Sequence, residues 1–279
     1  MDVTGIKGKP LAGLALMLVA PLVIGCVLAP WIYNWLSGLA ASGALPASLA
    51  EDLKFERVTS RCVQVSALLL LIPAFRLAGL GPRLRDALRP SPDRWTALGR
   101  ALAIGCVSMF AIYVGGWMIG AYRVTDGAAA KAAGAVFFVL GAALVGLCEE
   151  AFFRGFVFGA IRSRSAFWTA AVLSSVFFSA IHFFRPDAPL ANVPITWSSG
   201  FELMPYLFSK FKWSSDWAYM ITLVLMGLTL CLYYERQGHL FTAIGLHAGW
   251  VWAMRLGGEV FDRNRDVMQA LFSRSDLIA

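Results

Sequence analysis

The sequence predicts an all-α protein, a polytopic transmembrane helical bundle of about seven (7–8) spans, and three observations carry that prediction. Of its 279 residues 58% are hydrophobic and 15% charged, against about 45–50% and about 25% in soluble domains. The apolar residues fall into successive runs near the ~20 residues that cross a bilayer. Lysines and arginines collect between those runs, as loop cations of membrane proteins do. One integral membrane domain, residues 1–279, accounts for all three and leaves no room for a soluble one.

The runs are Leu11–Leu36, Cys62–Leu80, Leu98–Tyr122, Ala132–Ile161, Ser165–Phe184, Asp216–Tyr234 and His239–Gly257. The first contains Pro21 and Pro30, which remove backbone donors, so it is the run expected to kink or break into two. Lys7 and Lys9 precede it, and it exceeds the ~7–15 residues of a signal-peptide core, so it is expected to be retained. The fourth run is apolar to Leu147, breaks into Cys148-Glu149-Glu150, carries Arg154, and resumes with Phe156-Val157-Phe158. The connector Arg185–Ser215 carries Pro186, Pro189, Pro194 and Pro205 among aromatics. It is expected at the interface, either covering a site or as an ordered re-entrant link.

The net charge of +7 does not indicate nucleic acid, because the cations form no stripe on a soluble fold. Lys7, Lys9, Arg83, Arg85, Arg89, Arg94, Arg100, Arg162 and Arg164 fall on one side of alternating spans. The loop Ser37–Arg61 balances Lys54, Arg57 and Arg61 against Glu51, Asp52 and Glu56. Positive-inside counting places the N-terminus in the cytoplasm, although Arg255, Arg263, Arg265 and Arg274 argue the other way. Cys26, Cys62, Cys106, Cys148 and Cys231 are widely spaced in apolar stretches without a CxxC, and read as small hydrophobes.

Ionisable side chains at bilayer depth are costly and mark function by default. Four stand inside apolar runs, Glu149, Glu150, His182 and His247, with Arg154 beside the glutamates. Helical residues four apart share a face, which predicts a Glu150–Arg154 ion pair and leaves Glu149 without an in-helix partner. Glu149 lies about 14 residues before a turn near Ser163–Arg164 and His182 about 18 after it, heights that differ by roughly one turn at ~1.5 Å per residue. His247 lies about ten residues into the last run, entering from the same side. A carboxylate and a neutral imidazole can hold and deprotonate water, and a second imidazole can donate to an oxyanion. Singly, such residues often serve packing alone; their joint placement points to one intramembrane cavity. Ser179 is the nearest alternative nucleophile to a histidine. Glutamate and histidine are also zinc ligands, which keeps metal-dependent hydrolysis as an alternative separable by chelators. HExxH is absent, and no metal or other cofactor is expected.

At these residues the sequence resembles the CAAX-protease and bacteriocin-processing family of glutamic-type intramembrane proteases. The EExxxR motif is met by Glu149-Glu150-Ala151-Phe152-Phe153-Arg154, and FxxxH by Phe178-Ser179-Ala180-Ile181-His182. A third, Ile-Gly-Leu-His region is met by Ile244-Gly245-Leu246-His247. The resemblance implies an all-helical membrane endopeptidase with its core over about 132–257. It also implies Glu149 as the base that activates water, His182 as a holder of that water, and His247 as an oxyanion donor, supported by Glu150 and Arg154. Where the family has Asn, four residues after the third-motif His, this chain has Val251. Either another group replaces it, with Trp250 or Trp252 as candidate N–H donors, or the site works with one donor.

Family substrates implied by the resemblance are membrane-associated, lipid-modified or C-terminal sorting-tail proteins, and a bacterial inner membrane is the expected location. The Leu246–Val251 stretch looks most like bacterial sorting-associated members. The alternative reading is a non-catalytic transporter or peptide-binding scaffold with an intramembrane Glu/His cluster. A transporter more often shows two similar halves, and no such repeat is visible.

Overall fold

The computed structural model describes residues 8–135, 137–184, 186, 194–264 and 267. Lys7, Arg185, Pro189, Arg265 and Arg274, used above for orientation and for the connector, lie outside them. The helices in chain order are α1 (Pro10–Ala41), α2 (Ala47–Glu51), α3 (Phe55–Ala78), α4 (Gly81–Ala87), α5 (Pro92–Met118), α6 (Ala128–Ala135), α7 (Phe138–Glu150), a π-helix (Ala151–Phe158), α8 (Gly159–Arg162), α9 (Phe167–His182), α10 (Ser199–Glu202), a 3₁₀ turn (Met204–Tyr206), α11 (Trp213–Gln237) and α12 (Phe241–Val260). Two short strands, β1 (Tyr122–Val124) and β2 (Phe261–Arg263), complete the set.

Among the described residues each predicted run is mostly helix, the fourth as successive pieces α6, α7, the π-helix and α8, so the protein is mainly α-helical. Among the described residues four helices are long and apolar enough to cross a membrane: Pro10–Ala41, Phe55–Ala78, Pro92–Met118 and Asp216–Gln237 within α11. The apolar α9 is shorter. Large apolar side chains such as Leu69 (72% exposed) and Val107 (68% exposed) point outward from these helices, which is stable only against lipid.

The first run does not break. α1 is one continuous helix through Pro21 and Pro30, both buried, which corrects the expected two pieces. Neighbouring chain compensates for lost helical bonds in apolar surroundings. Pro30 cannot donate to the carbonyl of Cys26, and Gly200 packs its backbone directly on that carbonyl, where a Cβ has no room.

The chain divides into two compact units, each built from two stretches: Met1–Arg85 with Phe152–Cys231, and Asp86–Ala151 with Leu232–Ala279. In the first unit α1 packs along α3 and α10. One apolar core gathers Met17, Phe75, Leu80, Phe156 and Val157, and another gathers Ala29, Phe55 and Leu203. Phe75 and Phe156 meet edge to face at 5.1 Å.

In the second unit α12 is the central element, packed on α5, α6 and α7. Close approach of α12 to α5 rests on small residues. A Cβ on Gly105 would lie 3.1 Å from the Cα of Gly249, so the two backbones touch, as small-xxx-small pairs allow. The far ends of the same two helices are tied by the antiparallel pair β1–β2, with Tyr122 opposite Arg263 and Val124 opposite Phe261. Tyr113 reinforces that tie, stacking on Phe261 at 5.4 Å and donating its hydroxyl to the carbonyl of Met254 at 3.2 Å.

Candidate active site

Packing of α7 on α12 brings the first and third motifs together. Gly146 faces α12, and a Cβ there would lie 3.1 Å from the carbonyl of Ile244 and 3.3 Å from the amide of Ala248. Glu150 stands one turn beyond Gly146 on the same face, and His247 lies between Ile244 and Ala248 in sequence. The result is a hydrogen bond between residues 97 apart, in which His247 Nδ1 donates to Glu150 Oε1 at 2.7 Å. Glu150 is fully buried and His247 nearly so. A buried carboxylate with a charge-assisted bond fixes the ring's orientation and tautomer, which leaves Nε2 as the working nitrogen.

That nitrogen faces Glu149. His247 Nε2 and Glu149 Oε2 are 3.7 Å apart, too far for a direct hydrogen bond. Glu149 Oε2 is itself buried without a hydrogen-bond partner, yet 31% of the side chain is accessible. Glu149 is therefore an acceptor held beside an oriented imidazole and still reachable from outside. His247 is thus one partner of Glu150.

Arg154 and His182 belong to the first unit, where Phe178 links them. The Arg154 guanidinium lies over the Phe178 ring at 4.7 Å from its centroid and near Phe153 at 5.8 Å. It also donates to the carbonyl of Gly227 on α11 at 3.2 Å. His182 Nδ1 donates to the Phe178 carbonyl one turn back, at 2.8 Å, and its ring meets the Phe178 ring at 4.6 Å. Nδ1 being used, Nε2 of the half-buried His182 is the nitrogen left as an acceptor. The phenylalanine of FxxxH thus serves Arg154 with its face and His182 with its carbonyl. Ser179, the alternative nucleophile, donates to the Met220 carbonyl at 2.9 Å and is buried, so its hydroxyl is committed to packing α9 on α11.

Two features of the site were invisible at the level of motifs. The segment after the glutamates, Ala151–Phe158, is a π-helix, a form that concentrates at functional sites and shifts the angular step of the residues it carries. Trp250 and Trp252, expected as replacement donors beside Val251, have other surroundings. The Trp250 indole donates to Ser108 Oγ at 3.1 Å, and Trp252 packs edge to face on Phe110 of α5. The Trp250 donor is thereby engaged, whereas the Trp252 indole N–H is buried without a hydrogen-bond partner.

Residues 131–253 match the family model described as type II CAAX prenyl endopeptidase Rce1-like. This stretch belongs to the CAAX protease family. The match spans all three motifs and the whole Glu149–Glu150–His247 cluster, and it makes the chain a hydrolase of the protease class. No curated protein and no solved structure matches the chain. The family match together with the four apolar helices supports an integral, multi-pass membrane protein.

Proposed function

We propose that the chain is an intramembrane endopeptidase in which Glu149 activates the hydrolytic water. The observation that supports this reading most is the asymmetry of the two adjacent glutamates. One is buried and bonded to His247 Nδ1 at 2.7 Å; the other has an unbonded oxygen 3.7 Å from His247 Nε2. A water lying to one side of that gap can touch both atoms. Glu149 then takes its proton as hydroxide adds to the scissile carbonyl carbon, and returns the proton to the amine as the C–N bond breaks. His182, presenting Nε2 as an acceptor, is assigned to the water. His247, oriented by Glu150, is assigned to the developing oxyanion, to which it donates from Nε2 as the imidazolium, the form that carries a second N–H. Arg154 supports the second motif through Phe178.

The substrate class is a membrane-associated or lipid-modified protein, or a C-terminal sorting tail. The reading of about seven spans with the N-terminus in the cytoplasm of a bacterial inner membrane draws on the seven apolar runs of the sequence and on the excess of arginine between Gly81 and Arg100. The test is proteolysis of a co-expressed candidate membrane substrate by wild type and Glu149→Gln. Removing a general base is expected to cost about 10²–10⁴-fold in rate, without loss of folded, inserted protein. Near-normal turnover by the variant refutes Glu149 as the base. Persistence of activity in chelator separates this mechanism from metal-dependent hydrolysis.

A further inference from the structure

The second unit holds a cavity that the proposed chemistry does not use. It has a volume of about 270 Å³ and lies among the first turns of α5, the last turn of α11 and the first turns of α12. Arg100, Tyr233, Gln237 and Thr242 supply its polar lining, and Ile104 and Leu246 part of its apolar lining. Thr242 and Leu246 are spaced four apart, so they share one stripe of α12. Ile244 and Ala248, which face α7, are each two residues on and therefore about 200° around the helix. The cavity is thus on the face of α12 turned away from Glu150.

We infer that this cavity binds the phosphate headgroup of an anionic phospholipid. Its only charged lining residue is a cation, Arg100. Thr242 is 6% exposed, and its hydroxyl is buried without a hydrogen-bond partner, which leaves a polar group inside the wall that a ligand oxygen would satisfy. Thr242 also stands in the first turn of α12, whose N-cap, Leu240, offers no side-chain acceptor. Amides at a helix N-terminus favour an anion. Among the described residues neither Arg100 nor Gln237 has a hydrogen bond or ion pair to another side chain, so both are available to a headgroup.

A lipid fits better than a soluble anion because of where the cavity opens. Ile104 is both part of the lining and 56% exposed, on a helix whose apolar side chains face the bilayer. The headgroup would meet Arg100, Thr242 and the helix end, with acyl chains along Ile104. Arg89 and Arg94 precede Arg100, and Arg236 ends α11, against Asp86, Asp93 and Glu235. Basic pockets between membrane helices at the arginine-rich side are the usual form of anionic-lipid sites.

The test uses the purified full-length protein in neutral detergent and reads thermal stability as lipid is added. Short-chain phosphatidylglycerol is expected to raise Tm saturably, whereas short-chain phosphatidylcholine and inorganic phosphate are not. Arg100→Ala and the isosteric Thr242→Val should each weaken the response about fivefold, Arg100→Lys less. Arg123→Ala, an exposed arginine on β1, should respond as wild type. Native mass spectrometry of the same samples should show one retained phosphatidylglycerol in wild type and its loss in Thr242→Val. Equal shifts with phosphatidylcholine, or an unchanged response in Arg100→Ala and Thr242→Val, overturn the site. An equal shift with inorganic phosphate overturns the lipid as its occupant. Because binding and not proteolysis is read, the outcome stands apart from the assignment of Glu149.

Discussion

Each unit of the molecule buries a cluster of charged or polar groups, and the two clusters are satisfied by different means. In the second unit the partners are other titratable side chains: Glu150 holds His247 Nδ1, and Glu149 faces Nε2. In the first unit backbone carbonyls and aromatic faces are among the partners: Arg154 uses Gly227 and Phe178, and His182 uses the Phe178 carbonyl. A proton can move only where donors and acceptors face one another. Carbonyls and rings fix position and charge but exchange nothing. The difference teaches that chemistry and scaffolding are separable here, and that substitutions in the two clusters should produce different signatures.

The largest effect expected after removal of Glu149 is on Glu150. Glu150→Gln keeps shape but loses the charge that orients His247, and an amide in place of an orienting carboxylate can cost up to ~10⁴-fold in turnover. Steady-state proteolysis in a fixed bilayer checks it; a loss under about tenfold would make Glu150 a packing residue. Arg154→Ala should act mainly on the fold. It strands the Gly227 carbonyl and empties a fully buried volume, a class of change worth about 2–5 kcal/mol, or roughly 10 °C in Tm. If Arg154→Ala leaves Tm unchanged while abolishing turnover, the division between the clusters is wrong.

Smaller effects sharpen the comparison. Gly146→Val forces α7 off α12, since even a Cβ there meets Ile244 at 3.1 Å. A slight displacement of the glutamates is expected to cost about tenfold or more in rate, and Tm should fall less than in Arg154→Ala. The smallest effect concerns Val251. With Trp250 engaged by Ser108, the place of the missing Asn is either left to Trp252, whose indole N–H is buried without a hydrogen-bond partner, or unfilled. Val251→Asn, four residues from His247 and on its face, is expected to raise turnover by up to about tenfold, part of the ~2.7–4 kcal/mol that one oxyanion donor supplies. A neutral or harmful result would mean that another group fills that role.

Much of this was legible in the sequence because it depends on local pattern. The apolar runs from Leu11 to Gly257 announce helices, and the cost of burying charge singles out Glu149, Glu150, His182 and His247. What was not legible depends on partners far along the chain. Glu150's partner His247, 97 residues away, is brought in by Gly146 packing on α12. The same holds for α1, whose Pro21 and Pro30 look like breaks until Gly200 is seen against the Cys26 carbonyl. Trp250 likewise looks free until Ser108 is seen beside it. The π-helical step at Ala151–Phe158 has no signature in residue type that distinguishes it from an α-helix.

The most direct test of the separation between chemistry and scaffold pairs one residue from each cluster. Glu149→Gln and Arg154→Ala are purified and reconstituted in the same bilayer, and turnover per folded molecule is measured beside Tm. The expected result is no detectable cleavage by Glu149→Gln at the wild-type Tm, with substrate still co-purifying, and a lowered Tm with residual cleavage by Arg154→Ala. Cleavage by Glu149→Gln at near the wild-type rate would contradict the account.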